Sequence, residues 1–307
     1  MPVNNNEPAY EKLIYAPGFA DLHVHSSRSD ALSCWSPEEV LHMAQHHGIN
    51  HVAISDHNML NENWEKQSEH FGIDVISSTE MSSAYTAGGR LVEPHIVGFR
   101  LNPKADAIRK IAEKHQQSRE GYLRAMLDGL RADPEPIDIS YEELIARNPQ
   151  SKHIGRVAIG EVIIERGFAK DMDEVYHRRL GRESGAPSFV ESTEYLKYEP
   201  LETVIRAIMA SGGLPILAHL PYYNLTEKQE LELLALVKEA AGNQACMETE
   251  YTGYDRKTVE RLKHLAKYFG MAESTGSDFH GYEGHELKRG SFEIYSKLQQ
   301  KWEKYHG

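Results

Sequence analysis

Along the first hundred residues, short apolar runs closed by Ser, Asp, His or Gly alternate with longer stretches in which apolar residues recur every three or four positions, the two periods of strand and helix. Ser36, Pro37, Glu38 and Glu39 supply a helix N-cap, a proline at the first helical position and first-turn acids, and Gly48 supplies the stop. The pattern then predicts a strand at 51–55, a helical stretch at 61–70, and strands at 73–79 and 93–99. From 103 to 199 the rhythm is helical, with a long amphipathic run over 104–131 and a proline-rich break at 133–136. The alternation resumes with a helix at 200–211, a strand at 214–220, a helix at 226–240, a strand at 245–251 and a helix at 255–268, and it closes on TGSDFHG. Repeated strand–helix units predict a parallel sheet or barrel. The two blocks 1–102 and 200–307 therefore predict one α/β barrel, split by an inserted helical subdomain at 103–199.

Composition narrows the setting. The chain of 307 residues is 40% hydrophobic and 26% charged, values of a globular protein. Its best apolar runs, such as 213–220, are broken by Pro215 and His219 and fall short of the roughly 20 residues a membrane span needs. The first ten residues are polar and acidic, without the pattern of a secretory signal, so the expected location is the cytoplasm. Cys34 and Cys246 lack the paired spacing of a zinc or redox motif and are expected to be reduced. A formal net charge of −12 argues against a broad grip on duplex nucleic acid, which needs a basic face. Seventeen histidines are the anomaly. With Asp and Glu they form a ligand set for zinc, manganese or iron.

The histidines fall into motifs. In ADLHVHSSRSD, His23 and His25 lie two apart on a strand and so project from one face, with Asp30 in the following turn. Asp56 and His57 end the next strand, Glu80 ends another, His95 lies in the strand after it, His219 ends LPILAH, and Asp278 and His280 follow the last strand in SDFHG. In an α/β barrel the C-terminal strand ends converge on one face, where active sites are built.

These motifs, in this order, resemble the PHP (polymerase and histidinol phosphatase) family of metal-dependent phosphoesterases over nearly the whole chain. The resemblance implies a distorted (β/α)7 barrel carrying two or three divalent cations of manganese, zinc or iron. It also implies a ligand set. His23, His25, Glu80 and Asp278 would hold one metal, Glu80 with His95 and His219 a second, and Asp30, His57 and His280 a third. Asp56 reads as a structural acid. The inserted segment beginning SKHIGRVAIGEV is similar to that of the branch containing nucleoside 3′,5′-bisphosphate phosphatases and a 5′-to-3′ exoribonuclease of short RNA. Where that branch usually carries Arg-Pro-His, this chain has Arg156, Val157 and Ala158, and where the branch has AHP it has Ala218, His219 and Leu220.

The implied reaction is hydrolysis of a phosphate ester of a small nucleotide: a nucleoside 3′,5′-bisphosphate, AMP, or a short 5′-phosphorylated RNA or DNA end. A metal-bridging hydroxide would attack phosphorus at a centre built on Glu80, Asp278 and His219. Arg156, with its planar donor fork, is the candidate phosphate clamp, and His153 is a candidate substrate contact. From 152 to 182, seven basic residues stand against five acidic ones, a local excess suited to a small anion. A histidinol-phosphate phosphatase and a non-catalytic, metal-bound regulatory module are the alternatives. Of the remaining candidates, His42, His46, His47 and His51 are expected on the surface; Glu248 and Glu250 lie on a strand expected to end near the site, where one could contact a ligand, but packing or solvent is the expected environment of each. Cys34 lacks a base. Tyr222 and Tyr223 fit either core packing or a base or sugar.

Overall fold

The computed structural model describes residues 9–29, 35–149, 151, 153–281 and 286–306. Three parallel strands form one sheet, β1 (Phe19–Val24), β2 (Ile49–Ile54) and β3 (Asp74–Ile76). Between the strands lie the helices α1 (Pro37–His46) and α2 (Trp64–Phe71). The motif at Ser36 forms the expected cap: its side chain accepts from the Glu39 amide while the Glu39 carboxylate accepts from the Ser36 amide.

The stretch 73–79 divides into β3 and β4 (Ser78–Ser82), which belong to different sheets. A short hairpin of β5 (Tyr85–Ala87) and β6 (Arg90–Val92) then leads into β7 (His95–Phe99). The second sheet has the order β10 (Ala272–Gly276), β9 (Cys246–Tyr251), β8 (Leu214–Leu217), β7, β4. Because the hairpin sends the chain back beside β4, β7 runs antiparallel to both of its neighbours. The sheet is therefore mixed rather than all parallel. The two sheets meet through single hydrogen bonds rather than continuous ladders. On one side the Asp278 amide donates to the His23 carbonyl (2.8 Å) and the His25 amide to the Phe279 carbonyl (2.9 Å). On the other the Glu80 amide donates to the Ser55 carbonyl (3.0 Å) and the Asn58 amide to the Glu80 carbonyl (2.8 Å). In place of the expected closed ladder stands a mixed α/β fold of two joined sheets.

Helix α3 (Asp106–Ala132) serves two cores. Its first turns bury Ile108, Ile111 and Ala112 against Val204, Ile205 and Ile208 of α8 (Leu201–Ala210), whereas Tyr122 to Leu130 pack into a separate core. That second core is completed by α4 (Tyr141–Arg147), α5 (Arg156–Glu165), α6 (Met172–Val175) and the segment around α7 (Ser192–Tyr195). Helices α9 (Glu227–Ala241) and α10 (Arg256–Phe269) cover the second sheet, with their starts capped by Thr226 and Asp255.

The amphipathic C-terminal helix α11 (Phe292–His306) was not expected from the pattern. It buries Ile294, Tyr295 and Leu298 beneath the strands with Leu22, Phe99 and Ile216. His51 is a correction: it is fully buried rather than on the surface, stacked on Tyr295 (ring centroids 3.7 Å apart) and 3.1 Å from Asp74. His42, His46 and His47 are exposed as expected. Burial pushes the free Cys246 thiol up to about 12, which keeps it protonated, and Cys34 lies outside the described residues. Among the described residues no helix is long and apolar enough to cross a membrane.

Candidate metal centre

Asp30 lies outside the described residues. The other expected ligand positions come together around one buried carboxylate, Glu80. Its Oε1 lies 3.2 Å from Nε2 of His23, 3.0 Å from Nδ1 of His95 and 2.9 Å from Nε2 of His219, and its Oε2 lies 2.7 Å from Nδ1 of His57 and 3.3 Å from Nε2 of His25. Asp278 closes the opposite side, with Oδ1 2.9 Å from Nε2 of His25. Three overlapping groups have donor atoms close enough to share an ion: His23, His25, Glu80 and Asp278; His57, Glu80 and His95; and His25, His57 and His280.

The donor set suits cations. Nδ1 of His23 lies 2.9 Å from a Glu248 oxygen, so in the neutral ring that nitrogen carries the proton and Nε2 is left with its lone pair. That lone pair faces Glu80, Asp278 and, at 3.2 Å, Nε2 of His25. Lone pairs and carboxylates converging in a buried volume repel unless a proton or a metal ion lies among them. Nδ1 of His25 and Nδ1 of His219 are buried without a hydrogen-bond partner. Imidazole with carboxylate suits zinc, manganese or iron.

The same crowding sets the titration. Burial pushes His23 down, but Glu80, Glu248 and Asp278 outweigh it and hold the ring well above its ordinary value. Against the same burial, Asp278 and Glu80 lift His25 to about 9, and Glu80 and Glu93 lift His95 to about 10. Burial and the charge on His25 take His57 down to about 4. Burial raises Glu80, yet His95, His23 and His57 keep it well below the usual carboxylate range.

Backbone geometry places these groups at a cost. His219, Asp278 and Asn58 adopt left-handed φ of 26°, 53° and 53°, a region sparsely populated by residues other than glycine and concentrated at functional sites. Gly276 is needed for close approach, since a Cβ there would lie 2.5 Å from Cβ of His23 and 2.8 Å from a Glu248 oxygen.

Around the centre stands a ring of supporting groups. Glu248 contacts His23 with one oxygen and accepts the His219 amide with the other (2.8 Å). The Tyr251 hydroxyl donates to Oδ2 of Asp278 (2.9 Å), and the Tyr223 hydroxyl accepts the His95 amide while donating to the Ala218 carbonyl. Asp56 accepts from the amide and hydroxyl of Ser26 and the hydroxyl of Ser29, fixing the loop after β1. Packing or solvent is the expectation for both glutamates of β9, and Glu248 departs from it by touching the centre. A register shift in β9 opposite Ser274 and Thr275 breaks the alternation, so Glu248 points inward and Glu250 outward to Lys263.

From the helical segment, His153 reaches the centre, its ring centroid 5.6 Å from that of His57. Burial, followed by the charges of Arg119 and His57, holds it well below its ordinary value, so it stays neutral. Arg156 is exposed, with its guanidinium 5.5 Å from the Tyr176 ring, and among the described residues it makes no hydrogen bond or ion pair with the centre. The basic excess of this segment is mostly neutralised internally: Arg166 pairs with Glu143, Arg178 and Arg179 with Glu135, and Arg182 with Glu191. Arg119, on α3, was not singled out in the sequence, and among the described residues it has no ion-pair partner. At the opposite end of the strands a cavity of about 740 Å³ opens between Trp64, Arg100 and Trp302, away from all of these groups.

No known protein-family profile matches the chain. It is 28% identical over 262 residues to a 5′-3′ exoribonuclease of Haemophilus influenzae, an alignment covering 85% of this chain and 89% of that protein. It is 27% identical over 264 residues to the 5′-3′ exoribonuclease Rnm of Escherichia coli, with 85% and 84% covered. An amidohydrolase from Chromobacterium violaceum, solved with bound sulfate, has the same fold with a TM-score of 0.72 at 23% identity, over 92% of this chain and 96% of that one. A Bifidobacterium adolescentis protein described as a metal-dependent phosphoesterase also gives 0.72, at 21% identity over 93% and 97%. A chain that aligns with exoribonucleases over most of their length, and carries HxH, SDH and SDFH in that order, is a hydrolytic enzyme similar to the metal-dependent phosphoesterases of the PHP family.

Proposed function

We propose that this protein is a metal-dependent phosphoesterase that removes nucleotides from the 5′ end of short RNA, with small phosphorylated nucleotides as lesser substrates. The observation that carries this reading is the convergence of five imidazoles on the single buried carboxylate of Glu80, in a chain whose relatives are named 5′-3′ exoribonucleases.

His23, His25, Glu80 and Asp278 would hold one cation, Glu80 with His95 and His219 a second, and His57 and His280 with Asp30 a third, on the distorted (β/α)7 barrel frame that the resemblance implies. Bound divalent cations supply a water made acidic toward about pH 7 and neutralise charge on the phosphoryl group. The protein's own groups do the rest. Glu248 and Tyr251 orient His23 and Asp278. His153, neutral at the rim, is available to accept a hydrogen bond from a substrate hydroxyl. Arg119 and Arg156 supply positive charge on the overhanging helices, where a guanidinium binds a phosphate through paired donors. An acidic protein with this local supply fits a short substrate better than a duplex.

The test is turnover by manganese- or zinc-loaded protein on a panel of 5′-phosphorylated RNA tetramer, the matching DNA, adenosine 3′,5′-bisphosphate, AMP and histidinol phosphate. Sequential release of mononucleotides from the RNA 5′ end supports the reading. Preference for the bisphosphate would shift it to a monoester phosphatase, and preference for histidinol phosphate would overturn the nucleotide assignment.

A further inference from the structure

Three tyrosines stand beside the candidate metal centre, and of these only Tyr251 bonds to one of its carboxylates. Tyr222 lies in the short turn Leu220–Tyr223, three residues after His219, with its ring 6.2 Å from the His219 ring. Its edge meets Tyr251 at 5.4 Å and it lies 6.1 Å from Tyr254, while Tyr251 and Tyr254 stack on each other at 4.8 Å and an interplanar angle of 30°. Tyr251 is buried and tied to Asp278, and Tyr254 is half-buried with its hydroxyl enclosed and without a partner. Tyr222 alone keeps 54% of its surface open to solvent. Its hydroxyl lies over Gly253, whose φ of +96° bends the loop after β9 toward it.

A large aromatic side chain left this open is an isolated apolar surface held rigid from behind. It is fixed one short turn from the side chains that converge on Glu80, so a flat group lying on it would be carried by the same molecule whose ester is cleaved. The lip is acidic, with Asp278 and Glu248 behind the rings. A neutral base tolerates such a lip better than an anion does. Every nucleobase has a π-face, so stacking of this kind binds without reading sequence.

We propose that Tyr222, braced by Tyr251 and Tyr254, is the stacking platform for the base of the nucleotide being released. This inference rests on the nucleotide reading given above. It accounts for recognition by a face that is blind to base identity, and it makes Tyr222 a binding residue with no share in bond cleavage.

The experiment compares wild-type, Tyr222→Ala and Tyr222→Phe proteins, all loaded with manganese, on a 5′-phosphorylated RNA tetramer and on the same tetramer with an abasic 5′ residue. Stacking of one base on an aromatic ring predicts that Tyr222→Ala raises KM on the normal RNA by roughly 10- to 100-fold with kcat within a few-fold. Tyr222→Phe, which keeps the ring, stays near wild type, and the alanine penalty shrinks to a few-fold on the abasic RNA. An unchanged KM for Tyr222→Ala, an equal penalty on both RNAs, or a loss in Tyr222→Phe as large as in Tyr222→Ala would overturn the platform while leaving the nucleotide reading intact. Wild-type protein that turned over neither RNA would instead overturn the nucleotide reading, and the platform with it. Equal thermal midpoints of the three proteins exclude misfolding as the cause, as the exposure of Tyr222 leads one to expect.

Discussion

One carboxylate oxygen of Glu248 lies 2.9 Å from Nδ1 of His23, fixing which ring nitrogen faces Glu80 and Asp278. Its other oxygen holds the His219 amide, at a residue with φ of 26°. A carboxylate behind a metal-binding imidazole fixes its tautomer and raises its basicity, and losing one typically costs 10–100-fold in metal affinity or activity. Glu248→Gln keeps the volume and one acceptor but no longer supplies the negative charge. We expect metal affinity to fall by about tenfold and kcat to fall with it, and by about a hundredfold for Glu248→Ala. Competitive titration with a chromogenic chelator checks this, and unchanged affinity in both variants would show that Glu248 is only packing.

The titration of the centre predicts how chelator-stripped protein responds to alkali. His25 at about 9 and His95 at about 10 are raised in the folded chain above their ordinary value near 6.5. The sign follows: their stabilising pairs with Glu80 and Asp278 are fully present below about pH 6.5 and are lost as pH climbs through 9 to 10. Stripped protein should therefore lose thermal stability between pH 7 and pH 10, while protein loaded with manganese or zinc holds its midpoint. Metal binding at pH 7 should release protons, because ligating imidazoles must be neutral. Calorimetric titration in buffers of different ionisation enthalpy measures that release, and none would contradict the ligand assignment.

At the other end of the strands, Asp74 accepts from Arg100 at 2.5 Å and from the Tyr295 hydroxyl at 2.8 Å, with His51 beside it. Burial raises the Asp74 carboxyl, but Arg100 and His51 outweigh it and hold it below its ordinary value. A depressed carboxylate stabilises the fold above the unfolded pKa of about 4 and loses that contribution as pH falls through the folded value. Asp74→Asn leaves Arg100 buried without its counter-charge, a change that costs about 3–5 kcal/mol. Denaturant unfolding should show the full deficit at pH 7 and a shrinking one toward pH 3. A constant deficit would mean that packing alone is responsible.

The two arginines on the overhang make separable predictions. Arg119, whose charge helps keep His153 neutral, should raise KM for 5′-phosphorylated RNA when changed to alanine by about tenfold, the scale of one charge-assisted hydrogen bond. Arg156, exposed against Tyr176, should give a smaller increase. Steady-state kinetics of the single variants decide this, and a larger effect at Arg156 would make it the principal clamp.

Much of this protein is determined by its sequence alone. Local rules set the alternation of strands and capped helices, and Ser36, Thr226 and Asp255 cap helices because a side chain and an amide three residues on suffice for that bond. HxH, SDH and SDFH likewise mark the chemistry, since two imidazoles on adjacent positions of one strand face must share a volume. What only the tertiary structure decided depends on residues far apart in the chain. The register shift in β9 set Glu248 inward, where strict alternation offers no way to choose between it and Glu250. Packing of α11 beneath the strands buried His51 against Tyr295, although its spacing from His42 and His46 reads as one exposed surface. The hairpin before β7 reversed that strand and left the two sheets joined by single hydrogen bonds. It is also the fold that left Arg156 against Tyr176, brought the charge of Arg119 to bear on His153, and stood Tyr222 open beside His219, because burial and charge at a point are sums over neighbours no local pattern contains.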